Sequence, residues 1–501
     1  MGWSTAPDLW LGRLLFQRAV AVVYFLAFLG AANQFRALVG EHGLTPIPSY
    51  LQRTDWLRAP SLLRGRYSDR RFAVVAWTGA GLSAAAVLGI TETGPWWASA
   101  LAWLAMWGLY LSIVNVGQTW WGFGWESLLL EAGVLAILLG PSSSAPPVLL
   151  IWAIRWLLFR VELGAGLIKW RGDRCWRDLT CLRYHHESQP MPGPMSWWFH
   201  RLPDRLHQVE VAANHVTQLA VPWLLLLPQP LATVAAVVVL VTQGWLVVSG
   251  NFSWLNVLTM ALALPAVGAT LWRWVLPFDA PSHLHDPPLA HGALVIAVVA
   301  AVAVMSWWPV RNLAGPRQAM NASFNGWHLV NTYGAFGSVT RDRFEVIIEG
   351  TAAADPGDWD WREYGFKGKP GDPHRRPPQV SPYHLRLDWL LWFVSLSPRY
   401  GEPWLARLAA RLLEADRPTL GLLRTDPFDG QAPAAVRMRL FRYRYTTREE
   451  RSETGDWWVR HPVGELIEPV TLVEGRLRPV APAARPVRRG SRQEPTVAES
   501  I

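Results

Sequence analysis

The fold is decided by an apolar segment that runs directly into a polar loop. The segment is VLLIWAIRWLLFRVELGAGLIKW at residues 148–170, and the loop begins RGDRCWRDLTCLRYHHESQPMPGP at residues 171–194. An apolar stretch of about 20 residues can cross the hydrocarbon core of a bilayer as a helix. The loop holds both cysteines of the chain, together with charged and imidazole groups that are costly to desolvate. This pattern predicts an ordered polar site at the membrane surface, with a solvated connector as the alternative.

The composition indicates a protein that is part membrane and part water-facing. The 501 residues are 51% hydrophobic and 17% charged, which is too apolar for an ordinary soluble protein and too charged for membrane spans alone. The net charge of +9 favours anionic lipid headgroups as a partner over nucleic acid. Lysine occurs only at positions 169, 367 and 369, and this arginine bias predicts a bacterial source.

Apolar runs predict a polytopic α-helical bundle over residues 1–309, with the polar loop at 171–208. About nine candidate spans are long enough to cross a bilayer. They lie near 14–32, 72–90, 96–116, 124–140, 148–170, 209–227, 231–249, 252–271 and 292–308. Tryptophan doublets at 96–97, 120–121 and 307–308 lie at the ends of these runs, where indole rings typically anchor to headgroups.

After residue 309 the pattern changes to that of a smaller, mixed α/β, β-rich, water-facing domain over residues 310–474. Residues 344–349 and 437–445 are predicted strands, the second with a change of phase that indicates a β-bulge. Residues 405–414 predict a short amphipathic helix. Residues 475–501 are rich in Arg, Pro and Ala without an apolar period, which predicts a disordered basic tail.

Charged residues within the predicted spans form a second group of candidates. Arg155, Glu162 and Lys169 are spaced by seven and share one helical stripe, whereas Arg160 points elsewhere. Successive members are about 10 Å apart, so their partners must come from other helices. The stripe predicts either a structural ion-pair network or a functional polar cavity, and it predicts that Arg160 is replaced more easily than Glu162. The candidate partners are Glu126, Glu131, Glu210, Asn214 and Gln218, with the titratable His215 nearby.

The two cysteines allow several interpretations. Cys175, Cys181, His185 and His186 form a C-x5-C-x3-H-H array, but structural zinc sites usually have closer cysteine pairs. The spacing also excludes a C-x-x-C redox motif. A local disulfide is favoured if the loop faces an oxidising compartment. No metal site or cofactor is predicted, and no nucleophile elbow, Walker A loop or dinucleotide fingerprint is present.

Several motifs together resemble the lipase maturation factor family. They are RGDRCWRDLTC at 171–181, HESQP at 186–190, NTYGAFG at 331–337, FEVIIEG at 344–350, KPGD at 369–372, SPYHLRLDW at 381–389, DPFDG at 426–430 and DWWVR at 456–460. The resemblance implies a multi-pass membrane protein. In animals the family resides in the endoplasmic reticulum and is needed for dimeric lipases to reach their active fold. It provides no catalytic residues to transfer. The membrane half is also distantly similar to vitamin K-dependent carboxylase-like bundles.

Two functions follow as hypotheses. The first is a membrane-bound maturation or folding factor that assists secreted client proteins such as lipases. The second is a membrane-embedded enzyme that acts on a lipid or quinone-like substrate, with the stripe and His215 lining its cavity; enzymatic activity is the less favoured of the two. The client-binding candidates are Arg171, Asp173, Arg174, Trp176, Arg177, Asp178, His185, His186 and Glu187. Arginine and tryptophan dominate protein interfaces, and Trp457 and Trp458 are expected to be exposed for the same reason.

The orientation in the membrane is predicted in two conflicting ways. Arginines concentrate in the loops after the first and fifth predicted spans, which the positive-inside rule would place in the cytoplasm. The family resemblance instead implies a large C-terminal domain on the extracytoplasmic side. We follow the resemblance, which places the loop with both cysteines outside the cytoplasm of a bacterial plasma membrane.

Overall fold

The structure is a computed structural model that describes residues 5–276, 278, 280–355 and 358–480. Its N-terminal part is helical, as expected for long apolar runs, because a helix satisfies the backbone hydrogen bonds of a segment within the segment itself. The helices are α1 (Trp10–Leu38), α2 (Ile47–Leu51), α3 (Asp69–Val87), α4 (Trp96–Val116), α5 (Gly124–Ile137), α6 (Val148–Arg171), α7 (Arg174–Arg177), α8 (Leu182–Ser188), α9 (Ser196–His200), α10 (Asp204–His215), α11 (Val221–Leu224), α12 (Leu231–Ser249), α13 (Leu255–Ala263), α14 (Ala269–Val275), α15 (Leu289–Met305) and α16 (Trp307–Ala314).

Four or five spans, and not nine, are supported by the described residues. Helices long and apolar enough to cross a membrane cover Pro7–Leu38, Trp96–Val116, Leu231–Ser249 and Leu289–Ala314, and the pair Leu255–Ala266 and Ala269–Val275, bent by 116°, is a fifth if it forms one span. The prediction of nine spans was wrong because it rested on apolar composition alone. Several of the apolar runs form helices that are too short, too charged or too interrupted to cross a membrane. Helix α5 has only 14 residues, α6 carries several charges, and the run at 209–227 is interrupted by a π-helical turn, Val216–Ala220.

The C-terminal part contains a five-stranded antiparallel sheet in the order β2-β1-β3-β4-β5. The strands are β1 (Arg343–Thr351), β2 (Arg362–Glu363), β3 (Ala435–Tyr445), β4 (Trp458–Val473) and β5 (Arg476–Pro479), and the helices are α17 (Arg386–Leu396), α18 (Leu405–Leu413), α19 (Arg417–Leu420) and α20 (Arg448–Thr454). The register of β3 against β4 shifts between Leu440 and Phe441, so the predicted bulge is confirmed. The amphipathic helix at 405–414 is confirmed as α18.

The structured region extends beyond the predicted start of the tail at residue 475. Strand β5 pairs Val473 with Arg476 and Val470 with Pro479, so residues 476–479 belong to the sheet. The rest of the predicted tail, residues 481–501, lies outside the described residues.

A buried ion pair joins the C-terminal part to the helical bundle. Arg386 of α17 donates to Glu126 Oε1 of α5 at 2.7 Å and to the carbonyl oxygen of Trp120 at 2.6 Å. Its guanidinium lies 3.9 Å from the ring centroid of Trp121. The side chains of Trp120 and Trp121 are both buried, so their predicted role as headgroup anchors is wrong. In contrast, Trp307 is 62% exposed.

A second buried network surrounds Glu131 and includes Arg160. Arg160 lies off the stripe of Arg155, Glu162 and Lys169, but it forms a buried ion pair with Glu131 and donates to the carbonyl oxygen of Asn331 at 2.7 Å. Tyr333 Oη also donates to Glu131, at 2.7 Å. The expectation that Arg160 is easily replaced is therefore not supported.

We predict that Arg160→Leu lowers the free energy of unfolding by about 3 to 5 kcal/mol, because it leaves the buried Glu131 carboxylate without its cation. The matched control is Arg174→Leu. Its side chain is 82% exposed beside Asp178, and it should cost less than about 1 kcal/mol. Melting temperature and yield of the detergent-extracted variants measure both effects. Equal values for the two variants would show that the Glu131 network does not stabilise the bundle.

Candidate functional site

A cavity of about 990 Å³ lies where the bundle, the polar loop and the C-terminal part meet. Its walls are mostly apolar and aromatic, with contributions from Val161 of α6, Phe252, Phe336 and Trp389. Three other lining residues, Val209, Val241 and Trp245, are exposed at the outer surface of α10 and α12. Because α12 is a candidate span, this side of the cavity adjoins a surface suited to lipid.

The apolar cavity contains a buried carboxylate. Glu162 Oε1 accepts a hydrogen bond from Gln243 Nε2 at 2.8 Å, and Gln243 Oε1 accepts one from Asn256 Nδ2 at 2.7 Å. The other oxygen, Glu162 Oε2, makes no hydrogen bond of standard geometry among the described residues, although Glu162 is 1% exposed and the Gln218 side chain interacts with the carboxylate. A buried polar atom without a partner is uncommon in folded proteins, so this oxygen is available to a ligand or to water.

Lys169 provides a buried cation about two turns after Glu162 on α6. Its Nζ donates to Asn214 Oδ1 at 2.9 Å and to Gln218 Oε1 at 2.8 Å, and it lies 5.0 Å from the Trp176 ring centroid. Glu162 is the carboxylate whose charge acts on Lys169, but among the described residues the hydrogen bonds of Nζ go to amide oxygens and not to that carboxylate. The π-helical turn places Gln218 beside Asn214 for this contact. Lys169 is thus held by amide oxygens and an aromatic face, which leaves its charge unneutralised by direct pairing.

The remaining intramembrane candidates do not converge on the cavity. Arg155 is buried beside the ring of Trp152, Glu131 is in the ion pair with Arg160, and His215 Nε2 lies 3.0 Å from the carbonyl oxygen of Trp176. Of the stripe, only Glu162 and Lys169 line the cavity, whereas Glu210, Asn214 and Gln218 line it from the α10 side. The structure therefore contains both a buried ion-pair network, which includes Glu131 and Arg160, and a mostly apolar cavity with a few polar groups, which include Glu162 and Lys169.

The polar loop is ordered by local hydrogen bonds and a covalent bond. Asp173 caps α7 by accepting from the Cys175 backbone N–H at 3.0 Å. Cys175 and Cys181 form a disulfide with a Cα–Cα distance of 4.8 Å, so neither sulfur is free to bind zinc. Gly172 lies against the backbone of Gly337, where a Cβ atom would collide with the carbonyl oxygen. The close approach requires glycine at this position.

The sheet holds the same loop from the other side. Arg343 of β1 donates to the carbonyl oxygens of Glu187 at 2.9 Å and Gln189 at 2.5 Å. The buried Glu345 carboxylate neutralises Arg343 and also lies 2.9 Å from Lys369 Nζ. The loop is thus fixed to both halves of the chain.

Only some of the predicted client-binding residues are accessible. Arg171, Arg174, Arg177 and Asp178 are exposed, whereas Asp173 and Glu187 are half-buried. The prediction was wrong for the aromatic residues. Trp176 is 3% exposed because its Nε1 donates to the Phe336 carbonyl oxygen at 2.8 Å and its ring covers Lys169. Trp457 and Trp458 are buried in an aromatic cluster against β3.

His185 and His186 line the cavity rather than the surface. Burial, followed by the charge of Lys169, lowers the pKa of His185 to about 4, and burial lowers the pKa of His186 well below its usual range. Both rings are therefore neutral at pH 7. Neither nitrogen of His186 has a hydrogen-bond partner among the described residues.

Sequence reasoning missed Gln243, Asn256 and the aromatic wall around Trp389. The amides lie in α12 and α13, and a polar residue within an apolar span is itself a signal of function or assembly that could have identified them. The aromatic wall has no such signal, because tryptophan is abundant throughout the chain.

These features define an integral membrane protein with a helical bundle, a smaller sheet-containing part and a partly open, mostly apolar cavity lined in part by a disulfide-closed loop. The lipase maturation factor transmembrane domain matches residues 11–274, and the lipase maturation factor C-terminal domain matches residues 329–468. The chain belongs to the lipase maturation factor family.

The curated relatives match over most of their length. Lipase maturation factor 1 of Bos taurus is 40% identical over 93% of this chain and 90% of that protein. Lipase maturation factor 1 of Homo sapiens is 40% identical, covering 94% and 89%, and lipase maturation factor 2 of Homo sapiens is 28% identical, covering 92% and 83%. No solved structure matches the chain. These relatives are animal proteins, so they do not support the bacterial source that composition predicted.

We expect Cys175 and Cys181 to resist alkylation in the isolated protein until a reductant is added. The bond closes a short loop and contributes about 2 to 3 kcal/mol by restricting the unfolded chain. Mass spectrometry after alkylation with and without reductant measures the thiols. Complete labelling of both cysteines without reductant would contradict the bond and the assignment of this loop to an oxidising compartment.

We predict that Trp176→Ala destabilises the protein by about 3 to 5 kcal/mol, because it removes a buried indole that covers Lys169. The neighbouring Arg177→Ala, at an exposed position of the same helix, should change stability by less than about 0.5 kcal/mol. Thermal unfolding in detergent compares the two. Identical melting temperatures would show that the buried Trp176 side chain does not stabilise the protein.

Proposed function

We propose that this protein is a membrane-bound maturation factor that assists the folding of secreted lipases. The observation that carries the proposal is the match to lipase maturation factor 1, which extends over 93% of this chain and 90% of the bovine protein. This match includes the bundle, the loop and the sheet together, and is not limited to a single domain. A shared fold alone would be weaker support, since unrelated functions occur on one fold.

The exposed arginines of the polar loop are the proposed client contacts. Arg174 and Arg177 lie on α7, which the disulfide, the Asp173 cap and the buried Trp176 hold rigid. A fixed backbone reduces the conformational entropy that is lost on binding, and arginine is enriched among residues that dominate interface energies. The surface is fixed to both halves of the chain, so a client bound there would contact a preformed site.

We predict that Arg174→Ala with Arg177→Ala reduces capture of a co-expressed secreted lipase at least about tenfold while the protein stays folded. The control is Arg448→Ala with Arg476→Ala, which removes two exposed arginines from the sheet-containing part and the same net charge. Pull-down through tagged protein, together with secreted lipase activity, measures both variants. Retention of every client by the loop variant would overturn the assignment of the contact, and absence of client from the wild type would overturn the proposed function.

A second candidate function is an enzyme that acts on a lipid or quinone-like substrate within the cavity. The specific observation that favours it is that Glu162, whose Oε2 has no standard hydrogen bond among the described residues, and the buried Lys169 line the same mostly apolar cavity, which adjoins the exposed side of the candidate span α12. Distant similarity of the bundle to vitamin K-dependent carboxylase-like proteins is part of this second proposal. Carboxylates and amines in such surroundings serve as acids and bases in many enzymes.

The variant Glu162→Gln distinguishes the two functions. Glutamine retains an oxygen to accept from Gln243 but removes the carboxylate. For a maturation factor we expect secreted lipase activity within about twofold of wild type, because the folded surface is unchanged. For a membrane enzyme we expect an altered membrane lipid profile with an unchanged melting temperature. A folded Glu162→Gln protein that alters the lipid profile but still supports secreted lipase would favour the enzyme.

We further propose that the loop and the sheet face the extracytoplasmic side of a bacterial plasma membrane. The low lysine content supports a bacterial source. The disulfide supports an extracytoplasmic location, because such bonds persist in oxidising surroundings.

A further inference from the structure

Two histidines and a glutamate come together beside the cavity, from separate segments of the chain. They are His186 of α8, and His207 and Glu210 of α10. One potential ligand atom of each residue lies within 4.8 Å of those of the other two. His207 and Glu210 are three residues apart, so they share one face of α10, and His207 Nδ1 is 3.2 Å from Glu210 Oε2.

The burial of His186 is unexplained by contacts within the described residues. The residue is 3% exposed, and neither Nδ1 nor Nε2 has a hydrogen-bond partner. Its ring centroid lies 5.7 Å from that of His207. A buried imidazole ordinarily has a partner at one nitrogen or both, so an ion or a water molecule is required to complete this site.

We propose that His186, His207 and Glu210 bind a divalent transition-metal ion of the zinc type. Two imidazole nitrogens and one carboxylate oxygen form a ligand set that suits zinc and related ions, whereas calcium and magnesium prefer oxygen ligands alone. Metal–ligand distances of about 2.0 to 2.2 Å require the three atoms to approach each other by about 1 Å, which side-chain rotation can provide.

The surroundings of the three residues support a site with an open coordination position. Trp245 Nε1 donates to Glu210 Oε1 at 2.9 Å, which orients the carboxylate from outside in the manner of many metal sites. His186 and Glu210 both line the cavity, so a fourth ligand would reach the ion from there. The proposal is independent of the lipase maturation function, since it concerns metal binding alone.

The spacing of the three ligands explains why the sequence did not predict a site. His186 and His207 are 21 positions apart, whereas the array of Cys175, Cys181, His185 and His186 is local in sequence. The packing of α8 against α10 creates the cluster.

Untagged, full-length protein in detergent, stripped with a chelator and then loaded with Zn²⁺, tests the proposal. Free metal is removed, and bound zinc is measured by mass spectrometry. We expect about one ion per chain in the wild type, and at least about a tenfold loss in His186→Gln and in His207→Gln. The matched control, His215→Gln, lies two turns along the same helical segment as His207 and should retain the ion.

Two further measurements keep the test decisive if a histidine variant fails to fold. Glu210→Gln retains an oxygen that accepts from Trp245 and should also lose the ion. Cobalt-loaded wild type should show the visible absorption of a four- or five-coordinate site. A wild type without zinc, equal zinc in all variants, or absence of the cobalt spectrum would overturn the proposal.

Discussion

The ion pair between Glu126 and Arg386 is the constraint on which the rest of the structure depends. Both side chains are fully buried, and Tyr110 donates to the same carboxylate from α4. Removing one member of such a pair leaves an uncompensated charge in a low-dielectric interior. The bundle and the C-terminal part are therefore energetically one unit, although the two family models divide the chain between them.

This coupling also positions the cavity. Helix α17, which supplies Arg386, contributes Trp389 and Phe393 to the cavity wall, and the segment that follows Tyr333 contributes Phe336. Phe336 in turn accepts from Trp176, which covers Lys169. The polar groups on α6 are thus enclosed by residues that lie far away in sequence. A bundle without the C-terminal part would expose Glu162 and Lys169 to its surroundings.

Much of the architecture could be predicted from local pattern, whereas the pairing of charges could not. Strand β1, the β3 bulge and helix α18 follow from periodicity, because alternation and amphipathic spacing are properties of a few adjacent residues. The role of Arg160 depends on Glu131, 29 positions earlier, and on Asn331, 171 positions later. The predicted number of spans was wrong for a related reason. An apolar run indicates that a segment is buried, but it does not distinguish a segment buried against protein from one buried in lipid. Trp120, Trp176 and Trp458 were misjudged in the same way, since an indole suits an interface or a core equally well.

The buried carboxylates have a consequence for how the chain is made. Glu126 leaves the ribosome 260 residues before Arg386, and Glu131 precedes Tyr333 by 202 residues. Both acids lie on α5, and Glu126 must stay protonated or hydrated during elongation until Arg386 has been synthesised. The buried ion pair of the bundle therefore forms only after Arg386 has been synthesised. This member of a family of maturation factors thus needs its own C-terminal part to complete the folding of its helical bundle.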